Sequence, residues 1–99
     1  MRRLLDAEEV ARQVADLPGW TGTTSSLSRT YEFESFPALI RAVDDIAVDA
    51  EEMDHHPDLD IRWRTLHVTC STHDRGGVTQ LDVELAHRVH AIATGLGAP

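Results

Sequence analysis

The chain lacks features that several broad classes of protein require. It contains one cysteine, Cys70, so no disulfide can form within it, and a reducing, cytoplasmic setting is expected. No apolar run reaches the length of a signal peptide or a membrane span, so no membrane partner is expected. The charge is one-sided, since 17 acidic and 9 basic residues give a formal net charge of −8.

Clusters of basic residues are also nearly missing. The local basic groups are the pair Arg2–Arg3 and the pair Arg62 and Arg64. Nucleic-acid backbones attract clustered Lys and Arg, so nucleic acid is not an expected partner. The pair Gly76–Gly77 lacks the third glycine and the lysine of a phosphate-binding loop, which argues against a nucleotide site of that kind.

The 99 residues are enough for one hydrophobic core, and residues 1–99 are expected to form a single domain. Apolar periodicity and turn residues divide the chain into seven elements. The predicted helices cover Leu4–Leu17, Phe36 to about Asp54, and a last segment that begins after Thr79. The predicted strands are a short segment from Trp20, Leu27–Glu34, and two strands within Leu59–Thr72 that turn at Arg64–Thr65. This order, α-β-β-α-β-β-α, predicts an α+β two-layer sandwich.

The predicted helices carry recognisable start signals. Ser35 is a candidate N-cap, with Pro37 in the first turn, where its missing N–H does no harm. Thr79 is the candidate N-cap of the last helix, with Asp82 placed to complete a capping box. Cys70 lies in the apolar phase of its strand beside Val68, so it is predicted to be a core residue.

The stretch from Glu51 to Pro57 is the most informative part of the chain. Two adjacent histidines, His55 and His56, follow acidic residues at the end of the predicted middle helix. Pro57 requires that helix to stop near His55. A third histidine, His73, follows the last predicted strand. Histidine titrates near neutral pH, so three of them at the ends of elements indicate a cleft that transfers protons.

Histidine side chains also occur in roles unrelated to proton transfer. Any one of them, taken alone, is more often a solvated or hydrogen-bonded bystander, and His67, His87 and His90 are assigned to that class. A zinc site would need ligands that converge, whereas side chains of adjacent helical residues point about 100° apart. No H-x-x-x-H or C-x-x-C spacing is present, so neither a metal nor another cofactor is expected.

The residues that stand in this order resemble a known family. They are Glu51, then after three intervening residues His55-His56-Pro57, then Trp63, Thr72-His73 and Asp82. Leu17-Pro18-Gly19-Trp20 and Tyr31-Glu32-Phe33 agree with the same pattern. Together they resemble the pterin-4a-carbinolamine dehydratases over nearly the whole chain. That resemblance implies three helices on one face of a four-stranded antiparallel sheet.

The resemblance also implies an activity without a metal or organic cofactor. The reaction is the dehydration of a 4a-hydroxytetrahydropterin to a quinonoid dihydropterin, with a small-molecule pterin as substrate. His55 and His73 are then the acid and base candidates, and His56 binds and orients the pterin. The residues expected to line the pocket, or to tune and support the imidazoles, are Pro57, Thr72, Asp74, Glu51, Asp54, Asp82 and Trp63.

Three points stay open from the sequence. A non-catalytic module that binds a pterin or a protein partner could use the same fold, since some animal members of the family stabilise a transcription-factor dimer. A homodimer or homotetramer is expected, formed through an edge strand or the last helix. Leu59 stands where some members carry an aromatic residue, which leaves the preferred pterin side chain undetermined.

Overall fold

The helices and strands follow one another in the predicted order. The computed structural model describes residues 3–99, so Arg2 of the basic pair lies outside the described residues. The helices are α1 (Ala7–Val14), α2 (Phe36–Met53) and α3 (Gln80–Gly95). The strands are β1 (Thr21–Gly22), β2 (Leu27–Glu32), β3 (Asp58–Arg62) and β4 (Thr65–Cys70), and a 3₁₀ turn (His73–Arg75) precedes α3.

The four strands form one antiparallel sheet in the order β1-β2-β4-β3. Strand alternation gives β4 one buried row, with Leu66, Val68 and Cys70 fully inaccessible to solvent. On the opposite face, His67 and Thr30 are exposed and hydrogen-bonded to each other. All three helices therefore cover one face of the sheet, and the predicted α+β two-layer sandwich is confirmed.

Helix α1 is shorter than its apolar pattern predicts. The prediction of a helix over Leu4–Leu17 is wrong at both ends, because the helix covers Ala7–Val14. Asp6 caps the N-terminus by accepting the Glu9 N–H at 2.8 Å, so the preceding residues stay extended. At the other end, Pro18 disfavours helical geometry for the residue before it, and the chain leaves the helix before Leu17.

Several strand boundaries also differ from the prediction, since β1 begins at Thr21 rather than Trp20 and β3 begins at Asp58 rather than Leu59. Strand β2 ends at Glu32 rather than Glu34, although Phe33 remains buried. The turn between β3 and β4 falls at Trp63–Arg64, one residue earlier than predicted, because Arg62 pairs directly with Thr65. Such a tight hairpin needs a residue with positive φ, and Trp63 takes this conformation with φ of 53°.

Helix α2 begins and ends as predicted. The Ser35 hydroxyl accepts the Ala38 N–H, and Asp54 closes the C-terminus in the left-handed conformation with φ of 50°. The side chains of Leu39, Ile46 and Ala50 are buried along one face of the helix, whereas Phe36 at its N-terminus is 46% exposed.

The C-terminal tail is held in place by hydrogen bonds and burial. Ala98 is buried, and its N–H donates to the Ala93 carbonyl. The Arg29 guanidinium donates to the carbonyls of Pro18 and Pro99 and lies over the Tyr31 ring, 4.2 Å from its centroid. One arginine thus connects β2 to the turn after α1 and to the end of the chain.

Beside this arginine, the half-buried His90 makes stability depend on pH. Its Nδ1 lies 2.8 Å from the Tyr31 hydroxyl, which accepts the Trp20 indole N–H at 2.8 Å. Burial lowers the pKa of His90 from 6.5, and the charges of Arg29 and His87 add to this effect. Because the folded protein binds this proton less readily than the unfolded chain, the contribution of neutral His90 to stability is full well above pH 6.5 and is lost as the pH falls through that value.

Glutamine does not titrate in this range. We therefore expect the stability of His90→Gln to decrease less than that of the wild type between about pH 7.5 and about pH 5.5. Urea unfolding midpoints at several pH values within that range measure the effect. His67→Gln on the outer face of β4 is the matched control, because His67 is not among the groups that lower the His90 pKa. Equal pH dependence in the two variants would contradict the role given to His90.

Candidate active site

A buried histidine–carboxylate pair joins the end of α2 to the start of α3. His55 follows the helix cap at Asp54, and its N–H returns to the Ala50 carbonyl. This turns the His55 side chain inward, where it is 7% exposed. Its Nε2 lies 2.6 Å from Oδ1 of Asp82, a side chain with no exposed surface. The capping position predicted for Asp82 is confirmed, and the same carboxylate also binds the histidine.

The partners of Asp82 determine which nitrogen of His55 carries the proton. Oδ2 of Asp82 accepts the Thr79 N–H at 2.9 Å and the Thr72 hydroxyl at 2.7 Å. The carboxylate therefore acts as an acceptor, and His55 donates to it from Nε2. In the neutral ring Nδ1 is then unprotonated. Nδ1 of His55 has no hydrogen-bond partner within residues 3–99. Among these residues, the buried side-chain nitrogen or oxygen that lacks a partner is Arg64 Nε, so the unpaired Nδ1 of His55 is in contact with solvent.

His56 points to a different carboxylate. Its Nε2 lies 2.5 Å from Oε2 of Glu51, and both side chains are exposed. The adjacent imidazoles of His55 and His56 thus bind separate partners. Within residues 3–99, no group of three or more His, Cys, Asp or Glu side chains is arranged to hold a metal ion.

His73 lies in the 3₁₀ turn, although its position in the sequence suggested the end of a strand. Strand β4 ends at Cys70, and Thr72 then forms an isolated bridge with Gly77. The His73 side chain is exposed, and its Nε2 lies 3.8 Å from Oδ2 of Asp58, the first residue of β3. This distance allows electrostatic attraction but is too long for a hydrogen bond.

The three histidines line one open cleft of about 280 Å³. The lining residues are Asp54, His55, His56, Ser71, His73 and Asp74. Five of these six were candidates from the sequence. Ser71 was missed, although its place between β4 and His73 could have indicated it. Asp58 was also missed, because an acidic residue at the start of an edge strand carries no distinctive signal.

Besides Asp82, four other candidates lie outside the lining of the cleft. Glu51 stands behind His56, and Pro57 is half-buried. Thr72 is 1% exposed with its hydroxyl turned to Asp82, so that hydroxyl is not presented to the cleft. Trp63 is 72% exposed at the far end of β3, about 16 Å along the strand from Asp58. The structure therefore does not bring Trp63 to the histidines.

Cys70 is a core residue, as predicted. Its thiol is free and fully buried. Burial raises the thiol pKa well above its ordinary value, so the reactive thiolate is not formed near neutral pH. The titratable side chains that line the cleft are imidazoles and carboxylates. No helix within residues 3–99 combines the length and apolarity needed to cross a bilayer.

Known proteins are similar in sequence to this chain over most of its length. Residues 3–92 match the family model described as pterin 4 alpha carbinolamine dehydratase. A Nocardia farcinica protein with the provisional name pterin-4-alpha-carbinolamine dehydratase is 49% identical over 90 residues, which cover 91% of this chain and 95% of that protein. A Roseiflexus sp. protein with the same provisional name is 43% identical over 90 residues, covering 91% and 96%.

A solved structure shows the same fold. The crystal structure of a transcriptional coactivator/pterin dehydratase from Brucella melitensis superposes with a TM-score of 0.88. It is 30% identical in sequence and covers 92% of this chain and 99% of its own. The similarity extends through all the segments that form the cleft, since residues 3–92 include β3, β4 and most of α3.

Proposed function

The chain belongs to the pterin 4 alpha carbinolamine dehydratase family, and from that membership we propose that residues 1–99 form one domain that dehydrates a 4a-hydroxytetrahydropterin. The products are a quinonoid dihydropterin and water. The observation that carries the proposal is the convergence of His55, His56 and His73 on one cleft. Such a cleft supplies both a proton donor and a proton acceptor near neutral pH.

The reaction needs one proton added and one removed. The C4a–O bond breaks, and an acid protonates the departing hydroxide to form water. The N5–H bond gives up its proton to a base, and its electron pair forms the new N5=C4a double bond. Hydroxide leaves poorly without the acid, so general acid catalysis lowers the main barrier.

The surroundings of the histidines suggest how the roles divide. We assign the base to His55, because Asp82 holds the proton on Nε2 and leaves Nδ1 able to accept. We assign the acid to His73, whose charged form would be attracted by the Asp58 carboxylate at 3.8 Å. His56, oriented by Glu51, would bind the pterin from the third side of the cleft.

The activity is tested by mixing the purified protein with freshly generated 4a-hydroxytetrahydropterin. We expect the absorbance of the 4a-hydroxy compound to disappear faster than in buffer, in proportion to protein concentration. Bovine serum albumin at equal concentration controls for nonspecific catalysis. A rate equal to that of the control would contradict the proposal.

A second function is kept because of the Brucella melitensis relative, whose name combines coactivator and dehydratase. The same fold could serve as a non-catalytic module that binds a pterin or a protein. Such a module would not need a buried carboxylate that fixes the proton of His55, whereas a catalyst would. Tight binding of a reduced pterin without turnover would favour the module over the enzyme.

We also propose that the protein self-associates through the free edge of β3. This strand lies at the edge of the sheet, and the apolar side chains of Ile61 and Trp63 are 39% and 72% exposed beside it. The alternative surface on α3 is more polar. Its exposed residues are Gln80, Glu84, His87, Ala91, Thr94 and Gly95.

Light scattering coupled to gel filtration measures this association. We expect a dimer or tetramer for the wild type, and Ile61→Lys should shift the mass towards the monomer because a charge would be buried at the contact. Val48→Lys replaces an exposed apolar residue on α2 and should leave the mass unchanged. A monomeric wild type, or dissociation by Val48→Lys alone, would contradict the β3 contact.

A further inference from the structure

Two buried threonine hydroxyl groups lie behind His55, and neither takes part in the proposed reaction. Thr72 and Thr79 are each 1% exposed. Their Oγ1 atoms lie 2.8 Å apart, and Oγ1 of Thr72 lies 2.7 Å from Oδ2 of Asp82. Thr79 also contacts this oxygen through its backbone N–H at 2.9 Å. The two threonines and the carboxylate thus form one closed polar cluster beneath the cleft.

The direction of each hydrogen bond in this cluster follows from the number of hydrogens. Thr72 has one hydroxyl hydrogen and donates it to Asp82. The hydrogen between the two hydroxyls must therefore come from Thr79, which donates to Thr72. Oδ2 of Asp82 then accepts two hydrogen bonds, and Oδ1 is left to accept from His55 Nε2. The order of donation runs from Thr79 through Thr72 to Asp82.

We propose that Thr72 is a positioning residue that acts through Asp82 to hold His55 with its proton on Nε2, and that Thr79 supports Thr72 in this role. Hydrogen bonds to a charged group are the strong ones, and low exposure makes them stronger still. Two donors fix the rotation of the carboxylate, so Oδ1 stays directed at the imidazole. The catalytic part of this inference rests on the proposed dehydratase function.

This role differs from binding the substrate. The Thr72 hydroxyl is occupied by Asp82 and Thr79 and does not line the cleft. Its loss should therefore change kcat while KM stays nearly constant, whereas loss of a substrate contact would raise KM. Helix α3 keeps its N-cap when Thr72 is changed, because the cap is made by Thr79. Position 72 is thus the better place for the substitution.

The decisive experiment compares Thr72→Val with Thr72→Ser. Valine keeps the shape without the hydroxyl, and serine restores the hydroxyl. Thr69→Val on the outer face of β4 is the matched control for the same chemical change. Nitrogen-15 NMR of the His55 ring reports which nitrogen carries the proton, without any need for activity. Dehydration kinetics on the same variants give kcat and KM.

For Thr72→Val we expect His55 to change from the Nε2–H form to a mixture of both neutral forms, and kcat to fall about tenfold or more. KM should stay within about twofold of the wild-type value. Thr72→Ser and Thr69→Val should match the wild type in both measurements. Thr79→Val should resemble Thr72→Val with a smaller change, and Thr79→Ser should match the wild type.

An unchanged His55 spectrum in folded Thr72→Val would overturn the proposal, whatever the kinetics show. A rise in KM with constant kcat would also overturn it, in favour of a substrate contact. If the wild type does not catalyse dehydration, the proposed function fails, but the NMR comparison still decides whether Thr72 holds the proton on Nε2. The two failures are therefore distinguishable.

Discussion

Asp82→Asn is expected to abolish most dehydratase activity while the protein stays folded. The amide can still accept the Thr79 N–H and the Thr72 hydroxyl through its oxygen, and its NH₂ group then faces His55 Nε2. The His55 ring must move its proton to Nδ1 to pair with this donor. The base is then lost from the cleft, and a fall in kcat of about 10³- to 10⁴-fold is expected, as when the carboxylate that orients a catalytic histidine becomes an amide.

Asp82→Ala should also lower the stability of the fold, an effect that Asp82→Asn largely avoids. Three buried donors, on His55, Thr72 and Thr79, would lose their acceptor. Each buried donor left without an acceptor costs about 1–3 kcal/mol. Urea unfolding should therefore rank the stabilities as wild type, then the asparagine variant, then the alanine variant. Asp44→Asn on the exposed face of α2 is the control, and activity near the wild-type level in Asp82→Asn would refute the role of the carboxylate.

The local features of the site follow directly from the sequence. The position of His55 and His56 follows from Pro57, which limits α2 by local geometry alone. The capping box at Thr79 and Asp82 follows in the same way from residue types three positions apart. Both features depend on neighbouring residues only, and both are confirmed.

The contacts between distant segments could not be read in this way. His55 and Asp82 are 27 residues apart, and their 2.6 Å contact depends on how α2 and α3 pack. The depth of Thr72 depends on its bridge to Gly77, and its hydroxyl binds Asp82. Trp63 continues the alternation of β3, but a two-residue hairpin places it in the turn instead. Packing and turn geometry decided each of these cases.

The second large effect is expected from substitutions of the cleft histidines, which are assigned different roles in the reaction. His55→Gln keeps a donor for Asp82 but has no nitrogen that can accept a proton, so it should remove the base without unfolding the site. His73→Ala should remove the acid, and each change is expected to lower kcat by about 10²- to 10⁴-fold. His55→Ala should lose as much activity and also destabilise the protein, because it leaves Asp82 without one buried partner.

His56→Ala should behave differently, because the exposed pair of His56 and Glu51 is assigned to binding. KM should rise roughly tenfold with a smaller change in kcat, and Glu51→Gln should show the same pattern more weakly. His87→Ala, on the exposed face of α3, is the control for loss of an imidazole. Wild-type kcat in either His55→Gln or His73→Ala would exclude that residue from proton transfer. A fall in kcat alone for His56→Ala would move the acid or the base to His56, since the cleft offers three imidazoles for two protons.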